Sequence, residues 1–320
     1  MVDVTPLRAS REFRLLYGGQ VGSTIGNQLT MVAAPYQVYL LTGSSLAVGL
    51  LGLVQLPPLI IGSLIGGALA DEHDRRRLLL AAQLLLAATT AGLAINAMLS
   101  SPRVWAIYLL TAAHAAFSGL DHPTRSSAIP HLVERTQLAG ALALTQLTWQ
   151  LGLVVGPSLA GVVIARGGIP AAYWLDVVSF GTAVASLLVM RPILPEGGGT
   201  RASLNSIVEG VTFLKGRRAL QATFVIDINA MVFGMPRALF PALGTTQFAG
   251  GATAVGLLYA APGAGALAGA LFSGWVTRID RQGRAVVLAV LIWGAAIAVF
   301  GLVPWLPLAL ALLAVAGAAD

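Results

Sequence analysis

Among the ionisable side chains that lie inside long apolar stretches of this sequence, three can bind and release a proton: His114, Asp176 and Asp227. Such residues are costly inside a membrane and usually face a cavity or a polar partner. A carboxyl or imidazole group held in a cavity can bind and release a proton near neutral pH. We therefore predict that Asp227 first, Asp176 second and then His114 carry protons. The alternatives are a hydrogen-bonded or interfacial carboxyl for the two acids, and a packing or hydrogen-bonding role for His114.

Amide side chains in the same stretches form a second group of candidates. An amide both donates and accepts hydrogen bonds, so it can bind a polar solute without adding charge to an apolar run. We expect a solute cavity to be lined by Gln20, Asn27, Gln28, Gln55, Gln146 and Gln150. The aromatic rings that we expect to contact a large amphipathic solute are those of Tyr36, Trp149, Trp174 and Phe233.

Residue sets that support enzyme or metal chemistry are missing from the sequence. The chain has no cysteine, which excludes disulfides, thiolate metal sites and a cysteine nucleophile. No metal-ligand spacing connects its histidines, which are His73, His114, His122 and His131. No G-x-x-x-x-G-K-[ST] phosphate loop is present, so the sequence encodes no ATP-driven motor of its own. We predict neither an enzyme nor a bound metal or cofactor.

The elements that must position these candidates are membrane-spanning helices. The chain is 57% hydrophobic and only 10% charged, whereas soluble domains average about 45–50% and about 25%. A run of about 20 apolar residues can cross a bilayer as a helix. We draw ten apolar runs, at 15–41, 46–70, 78–99, 103–122, 137–165, 170–190, 219–243, 254–276, 285–303 and 305–319. The sequence therefore predicts an all-α, multi-pass membrane protein.

Basic residues are unevenly divided between the two sides of these spans. With the N-terminus in the cytoplasm, 16 of the 19 Lys and Arg residues fall in cytoplasmic segments. Arg103 and Arg166 fall on the other side, and Arg237 falls within a span. Because positively charged loops stay in the cytoplasm, we predict an inner-membrane protein with a cytoplasmic N-terminus. The same distribution explains the net charge of +6 without a nucleic-acid partner.

A polar interval divides the ten spans into six and four. Residues 191–218 begin with two prolines and three successive glycines, and continue with apolar residues at helical spacing between 204 and 214. This pattern is typical of a linker followed by an amphipathic helix at a membrane surface. We predict a six-helix bundle over 1–190, a cytoplasmic linker over 191–218 and a partial bundle of four helices over 219–320.

The two parts of the chain share an internal repeat. The pentapeptide AVGLL at 47–51 recurs at 254–258, an offset of 207 residues. Further identities keep this offset, namely Gly62 with Gly269, Gly67 with Gly274, and Arg77 with Arg284. Parallel repeats related by an axis along the membrane normal are a known architecture of secondary transporters.

A charged loop, Gly67-x-x-x-Asp71-x-x-Asp74-Arg75-Arg76, joins the second and third spans. It resembles the signature loop of the major facilitator superfamily. Its Asp-Arg-Arg form is similar to the branch of enterobactin exporters and related transmembrane secretion effectors. The Pro-x-Arg segment that ends at Arg125 resembles the same branch, and Asp121 lies one helical turn before Arg125. The resemblance implies a gating role for these residues; the alternative is a charged loop that only follows the positive-inside rule.

The fifth span contains Gly152-x-x-x-Gly156-Pro157-x-x-x-Gly161. Small residues four apart let helices approach closely, and Pro157 removes a backbone donor and bends its helix. The segment resembles the antiporter signature of proton-driven exporters of the superfamily, which implies a direction of transport out of the cell. The alternative is an ordinary glycine-rich packing face.

The resemblance as a whole implies the major facilitator fold and a proton-coupled secondary transporter. Its substrate would be an amphipathic small molecule, a siderophore or a drug, exported by alternating access. We expect a monomer in the lipid bilayer, with the solute and protons as partners. The superfamily has twelve helices, so we expect either a fragment or a shortened product that lacks the last two. A proton-coupled importer of the same fold and a truncated membrane protein that does not transport stay open as alternatives.

Overall fold

The computed structural model describes residues 3–194, 216–217, 221–222, 225, 234–272 and 282–319. Within these ranges the chain forms helices and turns, with no β-strand. The helices are α1 (Thr5–Ala9), α2 (Arg11–Thr42), α3 (Ser45–Glu72), α4 (Arg75–Met98), α5 (Val104–Ala128), α6 (Leu138–Val189), α7 (Gly251–Phe272), α8 (Gln282–Phe300) and α9 (Leu306–Ala319). The predicted all-α fold is confirmed. The predicted linker helix, Asp227, Phe233 and nearly half of the seventh span lie outside the described residues.

Serine side chains cap the first turns of the long helices α2 and α3. The Ser10 hydroxyl accepts from the Phe13 backbone N–H at 3.1 Å and caps α2. The Ser44 hydroxyl accepts from Ala47 at 3.3 Å and caps α3. Such caps satisfy backbone donors that a helix start leaves unpaired. Between these two helices, Gly43 adopts a left-handed φ of +63°, which ends α2 and reverses the chain in two residues.

The fifth and sixth predicted spans form two helical arms, together labelled α6, which are separated by a sharp break at Gly168. Gly168 has φ +77° and ψ 173°, a conformation open to glycine and outside the helical region. The break separates a first arm, 138–167, from a second arm, 169–189. Pro170 follows the break and accounts for the fresh helix start, because proline is well tolerated in a first helical turn.

Within the described residues, five helices are long and apolar enough to cross a membrane: Ser45–Glu72, Arg75–Met98, Arg135–Val189, Gly251–Ala270 and Gly283–Phe300. α2 is longer than most of these, but it carries many polar side chains. Among them Gln20, Ser23, Gln28, Thr30 and Gln37 are all buried. Because neighbouring helices cover these groups, α2 can lie within the bundle, as buried polar residues of membrane helices usually do.

Glycines allow α3 and α5 to approach closely. A Cβ atom added at Gly66 would lie 2.7 Å from the Leu120 Cα atom, and one at Gly119 would contact the Leu59 carbonyl oxygen. Added at Gly62, it would contact the Ala116 carbonyl oxygen. Backbone-to-backbone packing of this kind is typical of helices that associate in a membrane.

The described first half (3–194) and second half (234–319) share one apolar core. We call the ends of the helices near Arg75, Arg125 and Arg191 the basic end, and the ends near Gly43 and Gly168 the far end. A buried cluster at the far end joins Val38, Val48 and Ile164 of the first half to Ala252 and Val255 of the second. A cluster at the basic end contains first-half residues only. In the described chain, the two halves thus pack together at the far end.

The second half is built around α7, which packs on both α6 and α9. A Cβ atom added at Gly317 would contact the Pro262 carbonyl oxygen, so α7 and α9 are also in backbone contact. Before α7, 3₁₀, α and π turns follow one another from Pro236 to Gln247. Arg237, which was predicted to lie within a span, is exposed in the first of these turns.

Candidate functional site

Asp176 is completely buried on the second arm of α6. The Thr30 hydroxyl of α2 donates to its Oδ2 atom at 2.6 Å, and the Ser179 hydroxyl lies 3.2 Å from Oδ1. Among the described residues, no lysine or arginine forms an ion pair with Asp176. Hydroxyl groups therefore take the place of water around this carboxyl, and no cation of the described residues neutralises it.

His114 is buried on α5 beside the same threonines. Its Nε2 atom lies 2.8 Å from Asn27 Oδ1, so Nε2–H donates to the amide. Its Nδ1 atom lies 3.2 Å from the Thr89 hydroxyl and 3.4 Å from the Thr90 hydroxyl. The ring of Phe180 covers the imidazole, with 6.2 Å between the ring centroids. Every polar atom of His114 thus has a partner.

These residues form one polar cluster enclosed by α2, α4, α5 and α6: Asn27, Thr30, Thr89, Thr90, His114, Asp176 and Ser179. It brings two of the predicted proton carriers together with one predicted cavity amide. The hydroxyl residues were missed from the sequence. The adjacent pair Thr89 and Thr90 was the available signal, because two successive hydroxyl residues stand near the middle of a mainly apolar run. The third predicted carrier, Asp227, lies outside the described residues.

The other predicted cavity residues are distributed over several surfaces. Gln20 and Gln28 are buried, and Gln28 lies where a Cβ atom on Gly156 would be. The Gln28 Nε2 atom has no hydrogen-bond partner in the described part of the chain. Gln55 is half-buried on α3. Of the aromatic candidates, Tyr36 belongs to the shared apolar core and Trp174 is exposed beside Met98.

The glycine-proline segment of the fifth span lies where the two halves meet. A Cβ atom added at Gly161 would lie 2.9 Å from the Ala252 carbonyl oxygen, and one at Gly256 would contact the Pro157 carbonyl oxygen. Further along, a Cβ atom at Gly263 would lie 2.9 Å from the Leu153 carbonyl oxygen. The first arm of α6 and α7 are therefore in backbone contact. Gly152 and Gly156 face α2 instead, against Thr24 and Gln28.

Gln146 and Gln150 continue the face of α6 that contacts α7. The contact positions 161, 157 and 153 are three or four residues apart, and the same spacing leads on to 150 and 146. Gln150 is partly exposed and Gln146 is exposed. Among the residues that the structure describes, the face that α7 covers near the far end therefore has no cover towards the basic end. This uncovered strip is the surface that the described residues offer to a solute between the halves.

The charged loop between α3 and α4 binds the end of α6 and the start of the following segment. Asp74 Oδ1 accepts from the Arg76 backbone N–H at 3.0 Å, which caps α4, and from the Ile193 backbone N–H at 2.9 Å. Arg76 donates to the carbonyl oxygens of Leu187 and Leu188 at 2.6 and 2.8 Å. Those carbonyls end a helix, where a cation is favoured by the helix dipole.

Arg75 extends this contact to α5. It is almost fully buried, and its Nε atom donates to the Ser127 hydroxyl at 3.2 Å. Its Nη1 atom lies 3.4 Å from the Leu194 carbonyl oxygen. Glu12 of α2 accepts from the Arg191 backbone N–H at 2.9 Å. We call residues 187–194 the α6 exit segment. Four polar side chains bind it: those of Glu12 on α2, Arg75 and Arg76 on α4, and Asp74, which caps α4.

The predicted pair of Asp121 and Arg125 is present on α5. Two guanidinium nitrogens of Arg125 lie 3.1 and 3.0 Å from the two carboxylate oxygens of Asp121. Gln83 of α4 donates to the same carboxylate at 2.9 Å. Asp71 and Gly67 are half-buried at the end of α3. The loop residues and this pair thus form two separate contacts at the basic end.

Comparison with known proteins places the chain in a family. Residues 2–320 match the family model described as transmembrane secretion effector. The enterobactin exporter of Citrobacter koseri is 31% identical over 307 residues, which cover 96% of this chain and 74% of that protein. The enterobactin exporter of Shigella boydii serotype 18 is 31% identical over 317 residues, covering 99% of this chain and 76% of that protein.

Solved structures of transporters have the same fold. One is a bacterial homologue of the human lysosomal transporter Spinster, in an inward-facing and unoccupied conformation. Its TM-score is 0.61 and its sequence identity is 16%, and the match covers 99% of this chain and 73% of that chain. A D-xylose–proton symporter also has a TM-score of 0.61, at 15% identity, covering 96% and 79%. The chain is a multi-pass membrane protein of the exporter type, and it belongs to the transmembrane secretion effector family of the major facilitator superfamily.

Proposed function

We propose that this protein exports an amphipathic small molecule, a siderophore or a drug, across the inner membrane in exchange for protons. The relatives named enterobactin exporters support a siderophore as the first substrate to test. The N-terminus lies in the cytoplasm, because the basic end carries the arginine-rich loops. Asp176 carries the proton, with Asp227 as the second candidate.

The observation that carries this proposal is the environment of Asp176. A carboxylate that is buried without a cation carries its charge at a high cost, and binding a proton removes that cost. One of its partners, Thr30, lies on another helix, α2. A change in its protonation therefore changes hydrogen bonds between helices. That is the link between proton binding and helix movement that a coupled transporter needs.

The arrangement of the halves supports loading from the cytoplasm. Their described residues pack together at the far end, while Gln146 is exposed and Gln150 is partly exposed towards the basic end. With the basic end in the cytoplasm, this is an inward-facing arrangement. Alternating access then requires the contact between α6 and α7 to open at the far end as the basic end closes. The charged loop at Asp74 and the Asp121–Arg125 pair are placed to stabilise one of the two states.

Everted membrane vesicles test the proposal. A pH gradient, acidic inside, should drive accumulation of enterobactin by the wild-type protein. We expect Asp176→Asn to reduce accumulation to the level of vesicles without the protein, because no proton can be exchanged at that site. The same variant should retain exchange of labelled for unlabelled enterobactin, which needs no net proton movement. Glu134→Gln, which changes an exposed acid, is the matched control and should transport normally.

Other outcomes select between the alternatives. Full gradient-driven accumulation by Asp176→Asn would remove Asp176 from the mechanism, and the same result for Asp227→Asn would remove Asp227. Accumulation only in right-side-out vesicles would indicate a proton-coupled importer. Absence of any exchange by correctly inserted wild-type protein would indicate a membrane protein that does not transport.

A further inference from the structure

Asn27 has a hydrogen-bond donor that the described part of the chain does not use. Its Oδ1 atom lies 2.8 Å from His114 Nε2, whereas its Nδ2 atom has no hydrogen-bond partner among the described residues. Its side chain is partly exposed, unlike the buried His114 behind it. A side-chain amide carries an acceptor oxygen and two N–H donors. One side of the Asn27 amide is thus fixed by the protein, and the other side can bind a ligand.

Asn27 lies near the midpoint of α2, between the contacts of this helix with α5 and α6. Its own side chain binds His114 of α5. Thr24, about one turn earlier, faces Gly152 of α6, where an added Cβ atom would lie 2.7 Å from Thr24 Cγ2. Met31, one turn later, is 51% exposed. Asn27 therefore occupies a partly open strip of α2, at the depth where secondary transporters bind their solutes.

The imidazole of His114 controls which side of the amide stays free. Its hydrogen-bond partners in the described chain are all uncharged: Asn27, Thr89 and Thr90. Because a buried charge without a charged partner is costly, His114 is neutral, with hydrogen on one nitrogen only. Hydrogen on Nε2 binds the Asn27 oxygen and leaves the Asn27 nitrogen free. Hydrogen on Nδ1 makes Nε2 an acceptor, which binds the Asn27 nitrogen and leaves the oxygen free.

Two threonines of α4 act on Nδ1 in opposite ways. The Thr89 hydroxyl donates its single hydrogen to the Leu86 carbonyl oxygen at 2.8 Å. Towards Nδ1, 3.2 Å away, Thr89 can therefore only accept, which favours hydrogen on Nδ1. The Thr90 hydroxyl lies 3.4 Å from Nδ1 and bonds to no carbonyl of its own helix in the described chain. It can donate to Nδ1, which favours hydrogen on Nε2.

We propose that Asn27 donates from Nδ2 to an acceptor oxygen of the solute, and that His114 is a positioning residue that holds the amide in this orientation. Thr90 donates to Nδ1, and Nε2–H donates to Asn27 Oδ1. The site takes solutes that present a carbonyl, hydroxyl or phenolate oxygen at mid-depth of the membrane. The inference rests on the proposed function, in which an amphipathic solute binds between the halves.

Nuclear magnetic resonance of ¹⁵N-histidine-labelled protein in lipid nanodiscs tests the orientation, because the imidazole nitrogen shifts report which nitrogen carries hydrogen. His114→Gln assigns the His114 signals among the four histidines. We expect hydrogen on Nε2 in the wild type. Asn27→Leu should move it to Nδ1, because Nε2–H loses its acceptor while Thr89 can still accept. Thr90→Val should also move it to Nδ1, because the donor to that nitrogen is lost.

Equilibrium binding of radiolabelled enterobactin to the same nanodiscs, without a pH gradient, tests recognition. We expect Asn27→Ala to weaken binding about tenfold, since one hydrogen bond is lost. Asn27→Asp should weaken it at least as much: it keeps an acceptor for His114 but has no donor for the solute. Thr90→Val should also weaken binding, but it should add nothing in the Asn27→Ala background, because it acts through the amide.

Two further variants separate positioning from packing. His114→Gln keeps an N–H donor near the position of Nε2 and should bind enterobactin more tightly than His114→Leu, which has no donor. Thr111→Val is the matched control on α5. Thr111 is also buried, but its hydroxyl donates to the Ile107 and Tyr108 backbone oxygens. This variant should change neither the His114 spectrum nor binding.

Three results would overturn the inference. Hydrogen on Nδ1 of His114 in the wild type would contradict the orientation of the amide. Binding by Asn27→Asp as tight as that of the wild type would exclude the donor role. An undiminished effect of Thr90→Val in the Asn27→Ala background would show that Thr90 does not act through Asn27. None of these measurements depends on transport. The expected spectra and binding together with proton-independent transport in vesicles would instead contradict the proposed function alone.

Discussion

Arg76 and Arg77 are adjacent residues of the same type with different surroundings. Arg76 donates through two nitrogens to the last carbonyl groups of α6. The Arg77 side chain is 87% exposed and lies 3.7 Å from Asp74. Hydrogen bonds from a charged donor to backbone carbonyls are strong, whereas exposed ion pairs contribute little. The structural role of the arginine triplet is therefore not shared equally among its members.

We expect Arg76→Ala to destabilise the protein by about 1.5–3 kcal/mol, because two charge-assisted hydrogen bonds to the α6 exit segment are lost. Arg77→Ala, the matched control, should cost at most about 1 kcal/mol. Denaturant unfolding of both variants in the same detergent measures the difference. Equal losses of stability would contradict the assignment of Arg76 as the residue that holds the end of α6.

At the scale of elements, the first arm of α6 faces two different neighbours. Gly152 and Gly156 face α2 within the first half, whereas Gly161 faces α7 of the second half. One glycine motif thus joins a contact inside a half to a contact between halves. Because backbone atoms meet at Gly161, the contact there depends on the absence of a side chain.

We expect Gly161→Ala to favour separation of the halves at the far end, because the added Cβ atom would lie 2.9 Å from a backbone oxygen that cannot rotate away. Spin labels on Leu41→Cys and Leu302→Cys measure this separation, and the chain has no native cysteine to remove. Both positions are exposed, on α2 and in the α8–α9 loop. The distance distribution should shift to longer values.

Gly181→Ala is the control for this measurement, since no atom lies within 4 Å of a Cβ added at Gly181. It should leave the distance distribution unchanged. An identical response of the two variants would mean that the α6–α7 contact does not control how closely the halves approach at the far end.

At the scale of the whole molecule, the described residues of the two halves meet at the far end and leave part of the α6 face exposed towards the basic end. The shared apolar core holds the far end together. At the basic end, the described residues of the first half form a separate core. In the described residues, the α6 face at Gln146 and Gln150 is exposed on the side of the basic end.

Thiol labelling checks this access. We expect Gln146→Cys and Gln150→Cys to react with a membrane-impermeant maleimide in everted vesicles, where the cytoplasmic side faces the medium. They should not react in right-side-out vesicles, because the far end is closed. Leu302→Cys, 83% exposed at the far end, should show the opposite pattern. Leu291→Cys, on the apolar exposed face of α8, is the lipid-facing control and should react in neither. Labelling of Gln150→Cys from both sides would contradict the inward-facing arrangement.

The sequence by itself determined the class of the protein, the helices and the charged loop. Apolar runs and short capping residues act locally, so the bounds of α2 to α5 and of α7 to α9 lie close to the predicted spans. The pairing of Asp121 with Arg125 was predictable for the same reason, because four residues make one helical turn. The family resemblance followed from residues adjacent in the chain.

Only the tertiary structure decided which distant residues meet. Asp176 and Thr30 are 146 residues apart, and His114 and Asn27 are 87 apart. Arg76 binds carbonyl groups of a helix end 111 residues away. Which side chains face each other across two helices depends on how each helix is rotated and where it crosses its neighbour. That rotation is set by packing of the whole bundle, so the separate polar residues of the sequence became one cluster only when the helices were assembled.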